Sequence, residues 1–327
     1  MTSAAAAEGT PSPGGPLSPL RSRLFAIIWS ATVVSNIGAW LQSAAAGWLM
    51  TELSPNPRIV ALVQVASYLP MFLFVLPAGA LADVLDRRRL LLVMEIVGTL
   101  LTGVFAFLVG LQWVAPVTLL TFITLSGIAE ALATPAWQAI VPQLVPRQEL
   151  GAAVALNSVG INISRAIGPA LAGLTIVRLG IAAPFWLNAL SNLGVVAALV
   201  WWRPQARKGA KLPPERLGGA MRVGLRYARH SPGLRATIGC AAGFFLFASA
   251  YWALLPLVAR VQLGGGAPLY GLLLGAIGVG AILGAVALPS LKKALGPDRL
   301  VSLGTAGTAC ALLLYGLARV PGVAFAA

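Results

Sequence analysis

GALADVLDRRRLLL, residues 79–92, sets five charges, Asp83, Asp86, Arg87, Arg88 and Arg89, within seven consecutive positions between two long apolar runs. The runs on either side, about 59–82 and 90–111, are each long enough to cross the roughly 30 Å hydrocarbon core of a bilayer as a helix. Runs of similar length recur at about 24–50, 115–141, 151–177, 180–202, 237–259, 268–290 and 300–318, which makes nine candidate spans. None alternates with period 2, and lipid offers the backbone no hydrogen-bond partner, so helices are expected rather than barrel strands. The charged stretch is then a turn between the second and third spans.

Composition agrees. The 327 residues are 58% hydrophobic and 10% charged, against about 25% charged in soluble domains, so one aqueous core cannot hide this much apolar surface. An all-α membrane bundle follows. The first twenty residues, with AAAAEGTPSPGGPLSP, lack a basic start and lead into a run too long for a signal-peptide core, so a disordered tail is expected there. Cys240 and Cys310 fall inside predicted spans, where small buried hydrophobes are expected rather than a disulfide or a metal site. No cofactor is called for, and the sole histidine, His230, sits in a basic loop, which leaves paired-His metal sites and His-based triads without support.

The net charge of +14 raises the question of nucleic acid, and the placement of the basic residues answers it. With the N-terminus in the cytoplasm, 18 basic residues lie in inner segments, among them Arg87–Arg89 and nine between Arg203 and Arg235. The outer segments keep four: Arg58, Arg178, Arg260 and Arg319. That asymmetry is the positive-inside pattern, so the charge is topological, no nucleic-acid partner is expected, and the partner is the lipid bilayer of the cell membrane. Trp48, Trp113 and Trp186 fall near predicted outer ends and Trp29, Trp201 and Trp202 near inner ends, as interfacial indoles do; Trp137 does not fit the belt.

Four segments emerge: a tail, 1–20; six spans, 21–202; a basic loop, 203–235; and three further spans, 236–327. Within the loop, Arg222, Arg226 and Arg229 share one helical face, which predicts an amphipathic helix on the inner membrane surface. GAVALPSLKKALGPDRLVSL, 284–303, holds in the second set of spans the place that the opening stretch holds in the first, a hydropathy repeat of the kind seen in secondary transporters. The final VPGVAFAA reads as the beginning of another helix, so a chain shortened at its C-terminus is expected. GVGAILG, 278–284, has no preceding strand, and Gly271-x3-Gly275 with Gly280-x3-Gly284 are expected to be close-packing helix surfaces rather than a nucleotide loop.

Gly79-x3-Asp83-x3-Arg87-Arg88 resembles the loop motif between helices two and three of the major facilitator superfamily, with Val84 where a basic residue is usual and Asp86 where Gly is usual. Gly160-x7-Gly168-Pro169-x2-Ala172-Gly173 is similar to the antiporter motif of that superfamily, with Ala172 replacing one Gly. Together with SNIGAWLQSAAAGWLM and PAWQAIVPQLV, these resemble the branch of siderophore-secretion and macrolide-efflux proteins. The resemblance implies a major facilitator-like bundle of six helices plus about three of a second half. It implies an exporter of a bulky amphipathic or apolar small molecule, exchanged for protons, rather than an enzyme, and working as a monomer. It also implies that Gly79, Asp83, Asp86, Arg87 and Arg88 latch the two halves on the cytoplasmic side. A lysophospholipid flippase and a non-transporting sensor, assembly subunit or inactive fragment are the competing expectations.

Glu130 and Arg165 are the ionisable residues near mid-span, where a charge costs on the order of 2.5–3.5 kcal/mol on insertion scales. They sit at similar depth on successive antiparallel spans, so both a static ion pair and a proton site at Glu130 tuned by Arg165 are open. Ser126, Glu130, Thr134 and Trp137 recur at helical spacing as a stripe on the fourth span. Ser35, Asn36, Gln42 and Ser43 on the first span and Gln64 on the second complete the candidate cavity lining, each with a helix–helix hydrogen bond as its alternative role. Glu95 lies nearer the inner interface and is expected to be structural.

Overall fold

A computed structural model of the chain describes residues 15, 17–202 and 226–327, without the side chains of residues 83, 84, 285, 286, 289 and 297. Among the described residues, nine helices are long and apolar enough to cross a membrane, as the sequence predicts. They are α1 (Arg23–Leu53), α2 (Pro57–Val84), α3 (Arg87–Gly110), α4 (Pro116–Ile140), α5 (Leu150–Leu179), α6 (Ala183–Trp201), α7 (Pro232–Leu257), α8 (Ala267–Leu295) and α9 (Pro297–Leu317). A short α10 (Pro321–Ala326) follows, and α7 runs on through one π-turn, Val258–Gln262.

Local chemistry sets the boundaries. Proline occupies one of the first two positions of α2, α4 and α6 to α10, where its missing N–H costs nothing because that donor has no partner inside the helix. Side chains cap other starts: the amide of Phe25 donates to Ser22 Oγ, that of Arg58 to Asn56 Oδ1 and that of Arg89 to Asp86 Oδ1. Gly180 and Gly296, at φ of 89° and 76°, end α5 and α8 in the left-handed region that other residues avoid.

The first six helices pack as one bundle: α2 on α4, α3 on α4 and α6, and α1 on α5 and α6. One apolar core lies at the end carrying the Arg87–Arg89 turn, around Phe25, Ile28, Leu91, Ile140 and Leu199. A second lies at the opposite end, where the rings of Phe105 and Phe122 stack at 4.1 Å and Phe185 meets Phe105 edge-on at 5.1 Å.

The later helices join the bundle only at that opposite end, hereafter the sealed end. A third core there gathers Leu41, Ala44 and Trp48 of α1, Ala172 of α5, Leu255 of α7, and Tyr270, Leu273 and Leu274 of α8. Glycine makes the α5–α8 contact possible. A Cβ at Gly271 would stand 2.5 Å from Pro169 O, one at Gly173 2.8 Å from Ala267 O, and one at Gly278 2.6 Å from Ala166 Cα. Ile282, the next residue on the face that carries Gly271, Gly275 and Gly278, is exposed, so among the described residues the two helices part beyond Gly278. Gly280 and Gly284 lie on another face with open space where a Cβ would be, so the expectation that this second glycine pair is a packing surface is corrected for the described residues. α9 buries none of its most apolar window.

Other expectations change as well. Cys240 and Cys310 do lie in helices but are exposed, because α7 and α9 have few described neighbours along those stretches. Trp48 and Trp202 are buried in cores rather than anchored at an interface, and the Trp29 indole donates to Leu156 O of α5. Of the amphipathic helix expected in the basic loop, residues 203–225 lie outside the described set, while 226–230, with Arg226 and Arg229, are helical.

Candidate functional site

Arg165 stands halfway along α5, and its guanidinium lies between two indoles, 5.5 Å from the ring centroid of Trp40 on α1 and 5.4 Å from that of Trp252 on α7. Both spacings are in the cation–π range. Glycine permits the first of them, since a Cβ at Gly168, one turn along, would sit 2.5 Å from Trp40 Cβ. The Gln64 amide of α2 donates to Trp252 O at 3.3 Å, and Tyr251 tilts against Trp252 with ring centroids 5.1 Å apart. Three helices therefore meet at one cation, and a fourth, α2, holds the Trp252 backbone. The Arg165 Nε is buried without a hydrogen-bond partner, and among the described residues Arg165 has no carboxylate within ion-pair distance.

Glu130 is not that carboxylate. It is exposed, and its electrostatic neighbour is Glu95 on α3, at comparable depth on the adjacent helix. The topological argument that Glu130 and Arg165 are able to meet fails because α5 turns Arg165 toward α1 and α7, while α4 packs on α2 and α3. Glu95, expected to be structural, has no cation at ion-pair distance among the described residues.

The polar positions sort by neighbour. Ser35 Oγ donates to Asn192 Oδ1 at 2.7 Å, and Asn188 Nδ2 donates to Gln42 Oε1 at 2.8 Å, so these two residues of α1 serve the α1–α6 contact. Ser43 is exposed and Asn36 partly so, each without a side-chain hydrogen bond among the described residues. On α4, Thr134 Oγ1 donates to Glu130 O, Ser126 Oγ is buried and unpartnered, and Trp137 packs against the core at the turn end. Gly160 meets Val33 and Trp29, Gly168 meets Trp40, Pro169 O faces Gly271, and Gly173 meets Ala267: the glycine motif lies along α1 on one side and α8 on the other.

The charged turn is a hub of helix caps. Asp86 caps α3. Arg87 Nε donates to Ala82 O near the end of α2, and Arg88 donates to Leu199 O at 2.8 Å and to Val200 O at 2.9 Å, at the end of α6. Cations at helix C-termini and a carboxylate at an N-terminus suit the helix dipoles. This gives Asp86 a structural role that sequence alone leaves open. The Asp83 side chain lies outside the described set, and a Cβ at Gly79 would meet nothing within 4 Å.

At the sealed end a second cation joins the two sets of helices. Arg260 of the π-turn lies 5.7 Å over the Trp48 ring and donates to Thr51 Oγ1 at 3.1 Å. Trp48 donates to Glu52 Oε1 at 2.8 Å and stacks with Tyr270 of α8. Trp40 and Trp252 are not among the site residues expected from sequence, and Arg260 is expected there only as an outer-segment charge. A signal existed for the first two, since an indole well inside a span, away from both interfaces, has a neighbour to explain it.

The chain matches the family described as transmembrane secretion effector over residues 14–327. It is 26% identical over 275 residues to the staphyloferrin A transporter of Staphylococcus aureus, covering 82% of this chain and 67% of that protein. It is 28% identical over 253 residues to the enterobactin exporter EntS of Escherichia coli, covering 76% of this chain and 58% of that protein. The fold is similar to that of a bacterial homolog of the human lysosomal transporter Spinster in an inward-facing and occupied conformation, with a TM-score of 0.67 at 16% identity over 94% of this chain and 70% of that one. The chain spans about two thirds of the length of the first of these relatives and 58% of the second.

Proposed function

The chain belongs to the transmembrane secretion effector family, within the major facilitator superfamily, and from that premise we propose that it exports a bulky amphipathic small molecule by alternating access, driven by proton entry. Membership indicates a transporter rather than an enzyme. One observation carries the reading: α5 and α8 are in close contact from Gly173 to Gly278 at one end, and beyond that point the face of α8 that met α5 is exposed at Ile282. With the basic ends in the cytoplasm, as the charge distribution argues, that geometry is a path open to the cytoplasm and closed outside by the Trp48–Tyr270–Arg260 layer. Solute enters from the inside, the sealed end opens, and the turn end closes. In that second state Asp83, Arg87 and Arg88 are proposed to latch the halves across the cytoplasmic side.

Glu130 is the proposed proton carrier. It is a carboxylate at membrane depth, beside a second carboxylate and without a cation at ion-pair distance among the described residues, so protonation removes a local repulsion. The driving force is adequate, since one charge crossing 100 mV gains about 2.3 kcal/mol, a factor of about fifty in concentration. Relatives named for staphyloferrin A and enterobactin support a siderophore-like solute. The test is solute uptake into inverted vesicles under an imposed pH gradient. Wild type is expected to accumulate the solute against its gradient, and Glu130→Gln to retain only downhill exchange. Uphill accumulation that persists in Glu130→Gln overturns the role of Glu130, and indifference of wild type to the pH gradient overturns proton coupling.

A further inference from the structure

We propose that Arg165, clasped between Trp40 and Trp252, is the subsite that receives a carboxylate or similar organic anion on the transported solute, with the two indoles flanking the solute's flat or apolar body. This rests on the transport reading and adds a substrate class to it.

Three observations converge. The first is electrostatic: the Arg165 guanidinium lies at mid-membrane depth and makes no hydrogen bond or ion pair among the described residues. Two ring faces offset part of the cost of keeping it there, but its donors still lack an acceptor, and a carboxylate matches the guanidinium fork two bonds at a time. The second is position. Of the glycine contacts between α5 and α8, the one farthest from the sealed end is Ala166 against Gly278, one residue from Arg165, and Ile282 one turn beyond is exposed, so the cation stands at the apex of the opening, where a solute entering from the turn end stops. The third is what lies above it. Trp40 is followed by Leu41 of the sealing core, and Trp252 packs against that core and precedes its Leu255 by three residues, so the clasp is the floor of the seal. Ligand on Arg165 therefore pulls on α1, α5 and α7 together, which links occupancy to the movement of one set of helices against the other.

A purely structural clasp makes a different prediction, because it needs no anion. The test uses the purified protein in lipid nanodiscs and two probes of equal shape, naphthylacetate and its uncharged amide, naphthylacetamide, with binding followed by energy transfer from tryptophan and by equilibrium dialysis. Wild type is expected to bind the carboxylate about tenfold or more tightly than the amide, the scale of a charge-assisted hydrogen bond. Arg165→Gln is expected to bind the two alike, and Arg165→Lys to retain a reduced preference. Equal affinity of wild type for both probes, binding of neither, or a preference that survives Arg165→Gln overturns the proposal. The wild-type comparison decides even if Arg165→Gln does not fold. A protein that shows the carboxylate preference yet moves no solute into vesicles overturns the transport reading and leaves the anion subsite standing.

Discussion

Gly271→Ala puts one methyl group where the structure has least room for it. The new Cβ would stand 2.5 Å from Pro169 O, 3.1 Å from Gly173 N and 3.2 Å from Gly173 Cα, all backbone atoms that no rotamer change moves aside. Restoring ordinary contact at about 3.4 Å requires α5 and α8 to separate by up to about 0.9 Å at this point. Overpacking of this kind costs about 1–3 kcal/mol, and here the cost falls only on the conformer in which the sealed end is closed. The ratio of closed to open molecules is then expected to fall by about 5- to 150-fold. Ala259 is fully buried in the sealing core, so Ala259→Cys, in a background with Cys240 and Cys310 replaced by serine, reports the open state through its rate of reaction with a membrane-impermeant maleimide. Gly271→Ala should raise that rate by the same factor. Gly280→Ala, on the same helix but with nothing within 4 Å of the new methyl, should leave it unchanged. An unaltered rate in Gly271→Ala with an unaltered melting temperature would refute the reasoning, because it would mean that the α5–α8 contact does not hold the seal.

Three further predictions follow from single contacts. Asp86→Ala removes the cap on α3 and is expected to cost about 1 kcal/mol in thermal unfolding, while Asp86→Asn keeps most of it; equal loss in both would assign Asp86 a charge role instead. Gln42→Leu leaves the buried Asn188 amide without its acceptor and should cost about 1–3 kcal/mol, whereas replacing both residues with leucine should recover much of that loss, and a double variant no better than the single one would count against the pairing. Arg260→Gln removes the cation from Trp48 and the bond to Thr51, and should raise labelling of Ala259→Cys severalfold without changing labelling at the turn end; no change at the sealed end would dismiss Arg260 as part of the closure.

Hydropathy alone determines the nine helices, because a backbone in lipid has one way to satisfy its hydrogen bonds and runs of this length leave no alternative. The charge asymmetry argues their direction, because the basic residues concentrate in alternate loops and loops rich in Lys and Arg stay on the cytoplasmic side. The glycine motif on the fifth span likewise announces close packing, since a missing side chain is visible in one dimension, although which partner it meets is not. The function of the charged turn was only half legible. Its topology could be read off, but the role of Asp86 as a cap and of Arg88 as a ligand of the end of α6, 111 residues away, required the fold.

Tertiary structure decided the neighbours of the mid-span charges. Depth along a helix follows from counting residues, and on that count Glu130 and Arg165 are natural partners. Direction around the helix axis relative to neighbours does not follow, and it is direction that sends Arg165 to Trp40 and Trp252 and leaves Glu130 beside Glu95. A one-dimensional pattern fixes which residues share a face of one helix. Which faces meet is settled by many weak packing contacts acting together, and in this chain the smallest of them, a row of glycines between α5 and α8, sets where the two sets of helices touch and where they part.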